Sequence, residues 1–172
     1  MAAVATLSLR VTSGEREGFG RMEPNHKFIH FYRTRDPYGE FSNFARYPIE
    51  IDGKRWPTSE HYFQAQKFAG SEHEEAIRRV GSAMIAARMG RDRKKPMRPD
   101  WEVVKDDLMR RAVRAKFQQH PELRDLLLAT GNAVIIERTA KDSYWGDGGG
   151  GSGENMLGRV LMEVRKELGD SA

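Results

Sequence analysis

The chain has 172 residues, of which 38% are apolar and 31% charged, with a formal net charge of +4 and no cysteine. That length suits one domain with a substantial core. No apolar run reaches the roughly 18 residues of a membrane span, the N-terminus lacks the apolar stretch of a secretory signal, and the lack of cysteine excludes disulfides, thiolate nucleophiles and Cys-ligated zinc; it fits a reducing, cytoplasmic setting.

Residues 1–25 are polar and aperiodic. They read as a loosely ordered extension, with Val4 to Val11 as an edge-strand candidate, ahead of a domain over 26–172. Lys27 to Arg33 is β-rich and apolar, which predicts a central strand. Tyr38 to Phe44 is a loop with three aromatics. Asp52-Gly53, between the apolar runs Tyr47 to Ile51 and Lys54 to Trp56, predicts a two-residue hairpin turn. A helix follows to Phe68, with Pro57 suited to its first turn, Thr58 or Ser59 as cap, and Gly70 at its end.

Two short helices are predicted next, over about Glu72–Val80 and Ala83–Met89, with Gly81 and Gly90 as punctuation and Ser82 as a cap. A longer helix runs from Trp101 to about Phe117. Pro121 opens another, whose apolar side is Leu123, Leu126 and Leu127 and which ends at Thr130-Gly131. Ala133 to Arg138 is a short strand of β-branched residues. Beyond the Gly-rich stretch from Gly146 to Gly153, Leu157, Leu161, Val164 and Leu168 recur at helical spacing and predict a final core helix from about Asn155. Neither an internal repeat nor a domain linker is evident. The expected fold is α+β, a single mostly helical domain with a few short β-strands.

Several groups can carry chemistry. Glu60, Gln64 and Lys67 fall on one side of their helix, with Tyr62, Ala65, Phe68 and Ala69 on the other. Spacing alone allows a solvated face with a weak ion pair, or a site once other segments close over it. Lys116 lies within the apolar stripe of Trp101, Leu108, Met109, Ala112 and Ala115. It can snorkel at the helix end or line a cleft and meet a phosphate or carboxylate. Asp142-Ser143-Tyr144-Trp145-Gly146 directly follows a strand, where ligand-binding loops are common; an Asx turn with its aromatic folded onto the core is the structural alternative.

The glycine run lacks a Walker lysine and a dinucleotide fingerprint and reads as a flexible loop. Arg88, Arg91, Arg93, Lys94, Lys95 and Arg98 form a basic stretch, either a solvated loop or a contact for phosphate or nucleic acid. Histidines at 26, 30, 61, 73 and 120 are scattered, so no metal site is expected, and no cofactor is implied.

An ordered set of segments also resembles one family. Phe31-Tyr32, Glu40-Phe41-Ser42-Asn43-Phe44, Trp56 to Lys67, Asp100-Trp101, Lys116-Phe117, Thr130-Gly131, Asp142 to Gly146 and Asn155 to Arg165 are similar to the YbiA-like, or NADAR, family over about residues 27–168. The resemblance implies an N-glycosidase acting on ribosylated bases. Cleaving such a bond develops positive charge on the ribose and negative charge on the departing base, which calls for a carboxylate, an acid and a stacking surface.

Glu60 is the first candidate for acid/base work or charge stabilisation, with Asp142 as its partner. Trp101 and Trp145 are candidates to hold the base. Glu40, Asn43 and Phe44 are candidates to shape the pocket, with Gly146 beside Trp145. Lys67, or secondarily Lys116, offers a covalent route through a Schiff base if its amine is neutral.

The implied substrates are phosphorylated ribosylaminopyrimidines formed early in riboflavin biosynthesis, or ADP-ribose attached to guanine, free or in DNA. No membrane and no obligate protein partner is implied. The competing classes are a non-catalytic module that binds ADP-ribose or nucleotides, and a basic nucleic-acid-binding protein.

Overall fold

The structure is a computed structural model and describes residues 27–170. The extension over 1–25, with Val4 to Val11, lies outside the described residues. Six α-helices and four short strands are present among the described residues, the α+β arrangement expected.

Strands β1 (Phe28–Phe31) and β4 (Val134–Glu137) pair in parallel, with Phe28 opposite Val134 and Phe31 opposite Glu137. No further strand joins them among the described residues. The apolar run at 27–33 therefore forms half of a two-stranded sheet and not the centre of a larger one. Helices supply the cover that more strands would give: α6 (Met156–Asp170) packs on β4 and on α4 (Trp101–Gln119). Parallel strands need a long crossover, and here everything from the hairpin to α5 (Pro121–Ala129) serves as one.

The hairpin joins β2 (Ile49–Ile51) to β3 (Lys54–Trp56). Asp52 and Gly53 have φ of 54° and 69°, the doubly positive pattern of a primed turn that follows the strands' own twist. Pro57 lies just ahead of the next helix and not in its first turn. That helix, α1, is Ser59–Ala65, and its N-cap Thr58 accepts a hydrogen bond from the His61 amide at 3.3 Å. A 3-10 turn over Gln66–Phe68 extends it. Serines 71 and 82 cap α2 (Glu72–Arg79) and α3 (Ala83–Gly90) in the same way.

Two apolar clusters flank α1. Phe63 joins one, with Phe31, Met109, Ile135 and Leu157; Tyr62, Ala65 and Phe68 join the other, with Ile49, Trp56 and Ile77. Helices α2, α3 and α4 all pack against α1. Every residue of α1 is buried, as for a helix at the centre of a domain. Glu60 and Gln64 are only 5% and 4% exposed, so their side of the helix is not a solvated face. Helical spacing separates the two sides of α1 correctly. It cannot show that α3 and the loop at 142–146 cover the polar side.

Candidate active site

Two contacts place Glu60. Its amide donates to the Asn43 carbonyl at 3.1 Å, which fastens the first turn of α1 to the Glu40–Phe44 loop. One turn on, Gln64 Nε2 donates to Glu60 Oε1 at 2.8 Å. Among the described residues Oε2 has no hydrogen-bond partner. Burial pushes the Glu60 carboxyl up; the Gln64 hydrogen bond and the charges of Arg91 and Lys67 oppose this, while Asp142 adds to it. A half-partnered buried carboxylate is costly to keep charged and is the kind of perturbed group found at functional sites.

Lys67 lies within electrostatic reach of Glu60. Its Nζ donates to the Gly90 carbonyl at 3.2 Å and lies 5.2 Å from the Trp101 ring centroid and 6.0 Å from that of Phe63. Burial lowers its affinity for a proton; Glu60 restores part of it and Arg91 opposes that. Phe63 links the two candidate tryptophans, with ring centroids 5.0 Å from Trp101 and 5.2 Å from Trp145. Helical periodicity marks Phe63 only as apolar. Its position three residues after Glu60 is the signal that could have placed it at the site.

The loop after β4 brings Asp142 and Trp145 to the same region. Asp142 Oδ1 accepts the amides of Tyr144 and Trp145 at 2.9 and 2.8 Å. This is the Asx turn of the structural alternative, yet Asp142 still adds to the field at Glu60. The Tyr144 hydroxyl donates to Asp106 at 2.7 Å, tying the loop to α4. Gly146 is required by close approach: a Cβ there would lie 2.3 Å from Thr139 Cγ2 and 2.9 Å from the Glu137 carbonyl oxygen.

The glycine stretch is wound around one carboxylate. Asp147 Oδ1 accepts the amides of Thr139 and Gly149, both at 2.9 Å, and the Asp147 carbonyl accepts those of Gly151 and Gly153. Glycine composition suggests a flexible loop, but Asp147 gives this one a fixed centre.

Sequence reasoning missed Glu137. It ends β4, half-buried, and its carboxyl is pushed up to about 7 by burial and by the charges of Asp142, Glu60 and Asp147. An acid closing an otherwise β-branched strand, Val134-Ile135-Ile136-Glu137, was the available signal. Glu60, Glu137 and Asp142 thus act on one another electrostatically although each comes from a different element or loop. Among the described residues no group of three or more His, Cys, Asp or Glu is placed to hold a metal ion.

Other candidates lie apart from this cleft. Lys116 is 1% exposed. Its ammonium donates to the carbonyls of Glu40 and Ser42, the latter at 2.9 Å, with the Tyr47 and Phe117 ring centroids 5.5 and 5.6 Å away. It neither snorkels nor lines the cleft; it pins the 40–44 loop from within the core. Burial drives its pKa down to about 7. Asn43 reaches the site through its backbone, while its side chain donates to Met109 Sδ at 3.1 Å. Phe44 lines a separate groove with His61, and Glu40 lies near Lys116. In the basic stretch, the Arg91 charge acts on Glu60 and Lys67, whereas Arg98 is held by Asp100 through two hydrogen bonds of 2.6 and 2.8 Å.

Comparison with known proteins agrees with this architecture. The NADAR domain family matches residues 30–169. N-glycosidase YbiA of Escherichia coli (strain K12) is 64% identical over 140 residues, covering 81% of this chain and 88% of that protein. A riboflavin biosynthesis protein of Vibrio vulnificus is 43% identical over 144 residues, 84% of this chain but 39% of that longer protein. The NMR structure of E. coli YbiA superposes with a TM-score of 0.81 at 59% identity, covering 88% of this chain and 91% of that one.

Proposed function

The chain belongs to the NADAR family and is a hydrolase of N-glycosyl bonds, and we propose that it releases an aminated heterocycle from a phosphorylated ribose by means of Glu60, Asp142 and Glu137. One observation carries the assignment of roles. A buried, half-partnered Glu60 interacts electrostatically with two other carboxyl groups, Asp142 and Glu137, and with the Lys67 amine, which lies beside the linked rings of Trp101, Phe63 and Trp145. With Glu60 as the carboxylate facing C1′, positive charge developing on the ribose is stabilised where water is scarce. Glu137, held up to about 7, retains a proton near neutrality and donates it to the departing base nitrogen. Asp142 supports the same charge. Water then adds at C1′, giving free base and ribose phosphate.

The position of Lys67 favours a second, covalent course. Half-buried beside Trp101, with burial favouring its neutral form, its amine can add to C1′ of the ring-opened ribosylamine. The carbon–base nitrogen bond breaks, the base leaves as its amine with a proton from Glu137, and an imine joins Lys67 to the sugar. Water hydrolyses that imine and restores the amine.

For the substrate, the riboflavin biosynthesis relative supports a phosphorylated ribosylaminopyrimidine. Arg91, whose charge reaches Glu60 and Lys67, suits the phosphate of such a molecule and equally the diphosphate of ADP-ribosylated guanine. The test is to incubate the protein with each and detect free base by mass spectrometry. Release from the pyrimidine alone supports the first assignment, release from the guanine adduct alone replaces it with the second, and release from neither overturns both.

A further inference from the structure

A cavity lies at the N-terminal end of α1, lined by none of Glu60, Lys67, Glu137 or Asp142. It is an open groove of about 500 Å³, within the usual size range of small-molecule sites. Arg46, Arg55, Arg78 and Arg79 line it, and no carboxylate does. The guanidinium groups of Arg46 and Arg55 have no hydrogen-bond or ion-pair partner among the described residues. Arg78 and Arg79 share a single carboxylate, Glu75, through contacts of 2.5 to 2.7 Å. Arg78 is also fixed in direction, since its Nη1 donates to the Arg55 carbonyl at 3.0 Å. Four cations line the groove, and the neighbouring carboxylates Glu75 and Glu74 lie outside its lining, so the groove itself is positive.

The start of α3 opens into the same space, with Ser82 and Ala83 in the wall. Ser82 Oγ takes the Ile85 amide at 3.3 Å. The Ala83 and Met84 amides, in the first turn, have no acceptor within the helix. Such amides, with the positive end of the helix, add to an anion site. Phe44, Pro48 and Pro57 form an apolar part of the lining, which suits a flat ring more than a bare inorganic anion.

We propose that this groove is a nucleotide-binding site, separate from the catalytic cleft, that takes a nucleoside diphosphate with its phosphates between the four arginines and its base against Phe44. Planar guanidinium groups pair with phosphate through two hydrogen bonds each, so several converging on one cavity suit the multiple charges of a diphosphate. The proposal does not depend on which ribosylated base is cleaved. The groove does touch the helix that carries Glu60. Its floor includes Thr58 and His61, whose side chains bond to each other at 2.8 Å at the N-terminal cap of α1.

Backbone amide NMR of the isotope-labelled protein, titrated with ADP, pyrophosphate and adenosine, tests the proposal. ADP is expected to shift the amides of Arg46, Arg79, Ser82 and Ala83. Pyrophosphate should do so more weakly, and adenosine should leave them unmoved. The charge-reversed double variant R46E/R55E, altered at exposed side chains without partners, should bind ADP at least tenfold more weakly and keep the wild-type pattern elsewhere. Shifts confined to Lys67, Trp101 and Trp145 would place the nucleotide in the catalytic cleft and overturn the assignment. Equal ADP affinity in the double variant, or no shift with millimolar ADP, would overturn it too.

Discussion

Gln64 and Gly90 are in closest approach across the α1–α3 contact: a Cβ on Gly90 would lie 2.0 Å from Gln64 Oε1 and 2.8 Å from its Cβ and Cδ. The same Gly90 offers its carbonyl to Lys67 at 3.2 Å, and the same Gln64 holds Glu60 at 2.8 Å. One glycine therefore fixes the two side chains that flank the proposed reacting bond. Gly90→Ala is expected to displace Gln64, because its Cβ is too near the backbone to swing away. Turnover should fall about tenfold or more, as small misplacements of catalytic groups commonly cost. Helical content by circular dichroism should stay as in wild type. Wild-type turnover in this variant would show that the Gly90 contact does not position the site.

The carboxyl cluster sets the pH dependence. Burial and its neighbours raise Glu137 from 4.5 to about 7, so the folded protein holds a proton there that the unfolded chain releases at lower pH. The folded state then binds more protons than the unfolded one between those values, and stability from this group falls as pH rises through that window. Glu137→Gln should raise the melting temperature relative to wild type more at about pH 8 than at about pH 5. In wild type, kcat should decline as pH rises through about 7, on a limb set by Glu137 losing the proton it donates. The variant should lose most activity and that limb together. A retained limb would assign it elsewhere.

The two lysines separate by chemistry. Borohydride added during turnover should leave a sugar adduct on Lys67 if the covalent course operates, and none on Lys116, whose ammonium is enclosed by two carbonyls and two rings. Lys67→Arg should abolish trapping, since guanidinium keeps the charge but is not a competent nucleophile. Lys116→Ala should cost stability on the order of 2–5 kcal/mol by leaving a cavity and two bare carbonyls, read by urea denaturation. No adduct, with an active Lys67→Arg variant, would leave direct hydrolysis as the mechanism.

Local rules made much of this molecule legible. The Asp52-Gly53 turn, the Thr58 and Ser82 caps and the apolar stripe of α6 follow from short-range chemistry, and each appears in the fold. Convergence of Glu60, Asp142 and Trp145 was expected because all three close or open an element. What stayed hidden was burial set by distant chain. Lys116 lies in an apolar stripe, but only the 40–44 loop folding over α4 shows that its ammonium meets carbonyls and not a ligand. Glu137 looks like the polar end of a strand until Asp142 and Asp147 return beside it. The arginine groove joins residues from the hairpin, α2 and α3, and nothing in the spacing of 46, 55, 78 and 79 announces it.

The most direct test of the whole account is single-turnover cleavage by Glu60→Gln. The substitution keeps size and the Gln64 contact while removing charge and proton-transfer capacity. With the ribosylaminopyrimidine phosphate in the wild-type and variant proteins, free base is followed by mass spectrometry and binding by calorimetry. The account predicts a loss of about 10²–10⁴-fold in the rate of base release, with binding within a few-fold of wild type and the fold intact. A loss below tenfold, with binding unchanged, would contradict it and make Glu60 a structural carboxylate of α1.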